Sequence, residues 1–189
     1  MDKKKLLDDA AYEIFLERGY KNTNIALITK RANMAVGSFY KYYQAKEDIF
    51  LQVYIRENER MRRELVERID WSKKPIDVVE DIFHYSLDVL LSNPILVEWN
   101  SDKLGKMLHE HYRSENGMSG NSFHHFLMNY FRVQLGRANY DDAEVSKILK
   151  AYELINYIDY HVGEEDFEGS KEALQTFIQY FAKGLFADK

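Results

Sequence analysis

Three sets of residues in this chain have types that can do chemistry, and their spacing separates them. The six histidines invite a metal reading, but His109 and His111 stand two apart and His124 and His125 are adjacent. On a helix both spacings turn the rings to different faces, whereas helical metal ligation uses i, i+4 pairs such as HExxH. Metal or haem sensing, and a cofactor of any kind, are therefore not expected. The chain has no cysteine, which excludes thiol catalysis and thiolate-bound zinc. No phosphate-cradling glycine loop and no GxSxG elbow occurs, and the carboxylates follow the pattern of helix surfaces, so an enzyme is not expected either. The third set lies between Asn24 and Lys46 and suits a nucleic acid. Asn24 is placed to open a helix whose first N–H groups can face a phosphate. Gly37 permits close approach to a duplex. Ser38 and Tyr40 offer hydroxyls, and Lys46 a point charge, for phosphate oxygens.

The elements that must position this set read as helices. From Lys3 to Glu17, apolar Leu7, Ala10, Ala11, Ile14 and Phe15 recur at three- and four-residue spacing, and Gly19 stops the run. Asn24 caps a short helix to about Arg31. A break at Ala32 to Met34 precedes another short helix, about Ala35 to Tyr42. Two short helices split by a tight turn, against a first amphipathic helix, form a helix-turn-helix, whose second helix enters the major groove. A long helix begins near Lys46, with Ile49, Phe50, Val53, Tyr54, Met61 and Leu65 on its buried side.

Further on, Trp71 to Lys74 reads as a connection. Pro75 opens a helix to about Leu91, and Pro94 a segment that breaks near Asn100 and resumes to about Tyr112. Ser114 to Gly120 is the most loop-like stretch. Helices over Asn121–Arg137 and Asp141–Val162 follow, then an acidic link Gly163–Gly169 and a last helix capped by Ser170 and running to about Ala187. The class is all-α, about nine or ten helices.

The run from Gly19 through Thr23 and Ile28, then Ala32, Gly37 to Tyr43 and Lys46-Glu47, resembles the tetracycline-repressor (TetR) family of bacterial regulators over about residues 6–53. The resemblance implies an N-terminal three-helix helix-turn-helix DNA-binding domain, residues 1–46, and a C-terminal helical ligand-binding and dimerisation domain, residues 47–189. It places Val36, Lys41 and Tyr42 at variable positions facing base edges. Lys41 could donate to guanine and Val36 touch a thymine methyl. Phe39 and Tyr43 read as core. The chain departs from the family at four positions. Asn33 stands for the usual Gly, Thr29 for Ala, Tyr42 for a common His, and Ala35 for a capping Ser, a loss of about 1 kcal/mol.

The function implied is a ligand-responsive regulator, a repressor released from a palindromic DNA operator by a small-molecule effector, aromatic or lipophilic. Candidate lining residues are Met61, Tyr85, Trp99, Phe126, Tyr130, Tyr152 and Asn156, with acidic Asp88, Glu98, Asp102, Glu153 and Asp159 able to attract a lipophilic cation. The family also implies a homodimer through the last two helices. The wide apolar surface of Leu174, Phe177, Ile178, Phe181, Leu185 and Phe186 agrees with it. The alternatives are a helical small-molecule or protein sensing module without operator control, and a small helical enzyme.

Composition fits the same reading. The 189 residues are 46% hydrophobic and 14% aromatic, enough to build a core rather than remain disordered. The longest apolar run is four residues, Ile25 to Ile28, so no membrane span is expected, and Asp8 and Asp9 interrupt any leader behind the basic start. A cytoplasmic protein is the expectation. The net charge of −5 divides into +4 over residues 1–63 and −9 over residues 64–189. Only the first part carries a balance suited to phosphates.

Overall fold

The computed structural model describes residues 2–101, 103–114, 122–162 and 166–186, without the side chains of Tyr160 and Lys171. Asp102, the stretch from 115 to 121 and the link residues 163–165 lie outside the described residues, as do 187–189. Among the described residues the secondary structure is helical: α1 (Lys3–Arg18), α2 (Ile25–Arg31), α3 (Val36–Phe39), α4 (Lys46–Arg68) and α5 (Pro75–Ser92). A 3-10 turn (Leu96–Asn100) comes next, then α6 (Gly105–Arg113), α7 (Ser122–Arg137), α8 (Asp142–His161) and α9 (Ser170–Phe186).

The termini have local causes. Asp2 accepts from the Lys4 and Lys5 N–H groups and starts α1. Gly19, at φ 71°, ends it in a conformation that side chains disfavour. Asp141 and Glu144 form a reciprocal capping box at the start of α8. Ser170, expected to cap the last helix, is instead its first residue. The expected recognition helix is also shorter than its sequence suggested. Regular helix covers only Val36–Phe39, and Lys41 and Tyr42 then bond back three residues, to Ser38 and Phe39. Ala35 supplies no side-chain cap, and three aromatics within four residues lower helix propensity, so the segment tightens into turns.

The chain divides into two compact units. One comprises Met1–Val66 with Tyr85–Leu108, the other Glu67–His84 with His109–Lys189. In the first, Leu7, Ala11 and Phe15 of α1, Ile28 of α2, Phe39 of α3 and Ile49 and Phe50 of α4 are all buried. Phe15, Tyr20 and Phe50 meet with centroids 5.0 to 6.1 Å apart, an arrangement that adds aromatic attraction to plain burial. In the second, Leu135 of α7, Val145 and Leu149 of α8 and Phe186 of α9 form a core, and Tyr140 Oη donates to the Leu185 carbonyl at 3.1 Å. No helix of the described residues is long and apolar enough to cross a membrane.

Candidate nucleic-acid interface

The expected DNA-reading residues fall on one short stretch of the first unit, and the sequence explains how each is held. Asn24 Oδ1 accepts from the Leu27 N–H at 2.9 Å, so this side chain caps α2 as expected. The turn closes through Ala32 to Ile28, Asn33 to Lys30 and Met34 to Thr29 backbone bonds, at 3.0, 3.1 and 2.8 Å. Asn33 takes φ 54°, the left-handed conformation that its family replacement for glycine requires. Thr29 is accommodated by turning its hydroxyl onto the Ile25 carbonyl at 3.0 Å.

Beyond the turn, inward and outward residues alternate sharply. Phe39 is fully buried and Tyr43 nearly so, whereas Val36, Tyr40 and Tyr42 are 45%, 58% and 38% exposed. Gly37 and Lys41 share the exposed side, and Ser38 is half-buried. A Cβ at Gly37 would meet nothing within 4 Å. Packing among the described residues does not require glycine there. Tyr43 anchors the segment to α1: its hydroxyl donates to Asp8, and Lys4 Nζ donates to Tyr43 Oη at 2.7 Å. Burial pushes the Tyr43 phenol up to about 12, with the Asp8 hydrogen bond in the same direction.

Lys46 has a role that its position in the sequence did not suggest. Its Nζ donates to the Tyr20 and Thr23 carbonyls at 2.9 and 2.7 Å and lies 3.8 Å from the Tyr20 ring centroid. Burial holds its ammonium below the ordinary lysine range. Beside it, Glu47 accepts from Tyr20 Oη at 2.5 Å and pairs with Lys103 at 2.9 Å, partners that hold its carboxyl down to about 2. These contacts fasten the loop before α2 to the start of α4 and to the segment before α6.

The seven candidate effector residues divide between the two units. Met61, Tyr85 and Trp99 belong to the first. Met61 is buried, Tyr85 Oη donates to Glu64 at 3.2 Å, and Trp99 stacks on Tyr54 at 6.2 Å. Phe126, Tyr130, Tyr152 and Asn156 belong to the second, where Phe126 and Tyr130 meet Trp71 edge-on at 4.7 and 5.0 Å. Phe131 continues the cluster to Tyr152 at 5.6 Å, and Asn156 Nδ2 donates to the Tyr152 carbonyl at 2.9 Å. The hydroxyl of buried Tyr130 finds no hydrogen-bond partner among the described residues. Trp71 and Phe131 were missed by sequence reasoning, since an aromatic in a connection carries no periodic signal. Of the acidic candidates, Glu153 pairs with Lys150 at 2.6 Å, and Asp102 lies outside the described residues. No group of three or more potential metal ligands occurs among the described residues.

Glu57 was missed as well. It falls in the apolar stripe of α4 between Tyr54 and Met61, and a carboxylate in such a stripe is itself the signal for a buried polar centre.

Three helices, a left-handed turn and an outward-facing segment of mixed aromatic, glycine and cationic residues define a helix-turn-helix of the kind that reads duplex DNA. Residues 7–53 match the model for bacterial regulatory proteins of the tetR family. Over 83 residues the chain is 32% identical to the fatty acid metabolism regulator protein of Bacillus subtilis, covering 42% of each chain. It is 29% identical over 91 residues to the HTH-type transcriptional regulator YhgD of the same organism, covering 48% of this chain and 46% of that one. The chain thus spans a little under half the length of the curated relatives it matches. Among solved structures it resembles Thermus thermophilus FadR, a TetR-family repressor in complex with lauroyl-CoA. The identity is 15%, the TM-score 0.51, and the coverage 98% of this chain and 96% of that one. RolR in complex with resorcinol is similar at 17% identity and TM-score 0.51, over 95% and 92%. Residues 7–53 thus carry a segment like that of tetR-family regulatory proteins, the fold resembles that of TetR-family structures, and the curated relatives matched are named as regulators.

Proposed function

We propose that this chain is a ligand-responsive, homodimeric repressor acting in the cytoplasm. Residues 1–46 bind a palindromic operator, and residues 47–189 bind the effector and pair with a second copy. The observation that carries the DNA reading is the exposed face of residues 36–42. Val36, Tyr40, Lys41 and Tyr42 are exposed, and a Cβ at Gly37 would meet no atom of the described residues within 4 Å. A glycine inside a helix costs about 0.5–1 kcal/mol relative to alanine, so its use there suits close approach of a duplex rather than stability. Val36, Lys41 and Tyr42 are assigned to base edges, and Asn24, Ser38 and Tyr40 to phosphates. Lys46 stays at the edge of this set, because two of the three N–H donors of its ammonium are engaged by carbonyls.

The effector is assigned to an aromatic or lipophilic class, supported by the Trp71, Phe126, Tyr130, Phe131 and Tyr152 cluster of the second unit. Release from DNA follows if the effector favours a spacing of the two recognition segments that does not fit the operator. The test is a mobility shift with duplex from the DNA flanking the gene, at low and high salt. Binding that weakens steeply with salt and drops further in Tyr40→Ala/Lys41→Ala is expected. No shift at low salt, or unchanged affinity in the double variant, refutes the assignment. Addition of lauroyl-CoA or resorcinol to the bound duplex then tests the effector class, release being expected from a ligand of the right chemistry.

A further inference from the structure

Within the first unit, a buried carboxylate joins the helix beneath the recognition segment to the turn that follows α5. Glu57 of α4 is fully buried. Its Oε2 accepts from Tyr12 Oη of α1 at 2.8 Å and from Arg60 Nε at 2.9 Å. Its Oε1 accepts from Arg60 Nη2 and from Asn93 Nδ2, both at 2.6 Å. Four hydrogen bonds match the acceptor capacity of one carboxylate. Asn93 is buried too, and its Oδ1 accepts from the Ile95 and Leu96 N–H groups at 2.9 and 3.1 Å, which starts the 3-10 turn. Arg60 continues to Glu64, which accepts from Tyr85 Oη of α5.

Burial of the Glu57 carboxylate works against its charge, and the hydrogen bonds from Arg60, Tyr12 and Asn93 are needed to hold its carboxyl below the usual range. A carboxylate taken out of water carries a desolvation cost that well-packed apolar side chains avoid, even with a half-exposed Arg60 as its partner, and the flanking positions of the same stripe are Tyr54 and Met61. What the carboxylate adds is direction. Each of its oxygens is shared between Arg60 on its own helix and a donor from another segment, Tyr12 on one oxygen and Asn93 on the other. A displacement of residues 93–96 must therefore either carry Glu57 and Tyr12 along or break a buried hydrogen bond, which leaves a polar group unsatisfied. From Tyr12 the chain of contacts runs along α1 to Lys4 and Asp8, which hold Tyr43 at the end of the recognition segment.

We propose that Glu57 is a positioning residue that couples the 93–96 turn to α1, so that movement of that turn changes the placement of the recognition segment on DNA. This inference rests on the DNA-binding reading above. The network as it stands holds α1 in one place, so opening it weakens DNA binding.

The test uses the full chain and a duplex selected from a random pool by the wild-type protein. Tyr12→Phe removes one donor to Glu57. Asn93→Asp keeps the oxygen that caps the turn but sets a carboxylate against Glu57. Each is expected to weaken duplex binding about tenfold, the equilibrium factor of one hydrogen bond to a charged group. The double variant is expected to lose about tenfold as well, because both changes open the same relay. In a Trp71→Phe background, duplex addition should change Trp99 emission in the parent and not in Tyr12→Phe, a response that simple loss of stability would not abolish. If Asn93→Asp fails to fold, Glu57→Gln takes its place in the cycle with the same expectation. Multiplicative losses of about a hundredfold, unchanged affinity in both single variants, or a Trp99 response that persists in Tyr12→Phe overturns the coupling alone. A wild-type chain that selects no duplex overturns the DNA-binding reading, and the coupling with it.

Discussion

Replacing Lys46 by methionine separates two roles that its position combines. The variant keeps the length and most of the volume of the side chain and removes the ammonium. What is lost are two hydrogen bonds from a charged donor, to the Tyr20 and Thr23 carbonyls, and a cation held 3.8 Å from the Tyr20 ring centroid. Hydrogen bonds to charged groups contribute about 1.5–3 kcal/mol each, and the ring contact about 0.5–2 kcal/mol. Burial, which holds the Lys46 ammonium below the ordinary lysine range, offsets part of this gain. The Tyr20 carbonyl also keeps a second partner, the Thr23 N–H at 3.2 Å, so the loss falls mainly on the Thr23 carbonyl. The lower ends of these ranges come to about 3.5 kcal/mol, and with the burial offset the net loss is about 2 kcal/mol. For a chain of this size that corresponds to a melting temperature lower by about 4–8 °C. Thermal unfolding followed by circular dichroism gives the stability, and duplex affinity measured well below the transition gives the binding. The expected result is the stability loss with duplex affinity reduced only about threefold, one phosphate contact's share of the salt-dependent attraction. Unchanged melting together with a large loss of affinity would refute the structural role and make Lys46 a phosphate ligand first.

Three further outcomes are expected. Tyr20 and then Lys103 hold the Glu47 carboxyl down to about 2, so its stabilising contribution is present above the unfolded value of about 4.3 and is lost as pH falls toward 2. The urea midpoint of Glu47→Gln should therefore lie below that of the wild type at neutral pH and converge with it in acid; a gap that stays constant argues against this pairing. Phe39→Ala empties the fully buried anchor of α3 and should cost about 3–5 kcal/mol and abolish duplex binding, with hydrogen exchange rising in α1 to α3 while α8 stays protected. Leu154, Tyr157, Phe177 and Tyr180 are exposed on α8 and α9, so Tyr157→Glu/Phe177→Glu should shift sedimentation from dimer to monomer; an unchanged dimer would place the interface elsewhere.

Much of the fold was legible because helices announce themselves locally. The three- and four-residue spacing of Leu7, Ala10, Ala11, Ile14 and Phe15 marked the buried face of α1, and all five are buried. Asn24 as a cap, Asn33 in a left-handed turn and Ala35 as a missing cap could be read from residue type, because each acts on backbone groups within a few positions. The length of the recognition helix could not. Its end depends on competition between three- and four-residue backbone bonds after Phe39, which residue type decides only weakly.

The sequence by itself determined the helical class, the helix-turn-helix, and which of its side chains face inward, since burial there follows from short-range periodicity. It also separated a basic first third from an acidic remainder. Only the tertiary structure decided what the polar residues between these elements do. Glu57 meets Tyr12 across 45 positions and Asn93 across 36, and Lys46 reaches carbonyls 23 and 26 positions earlier. Such partners are chosen by the path of the folded chain, and no local pattern records them. The same reason divides the aromatic residues. Their abundance was visible in composition, but the meeting of Trp71 with Phe126 and Tyr130 depends on helices brought together by packing.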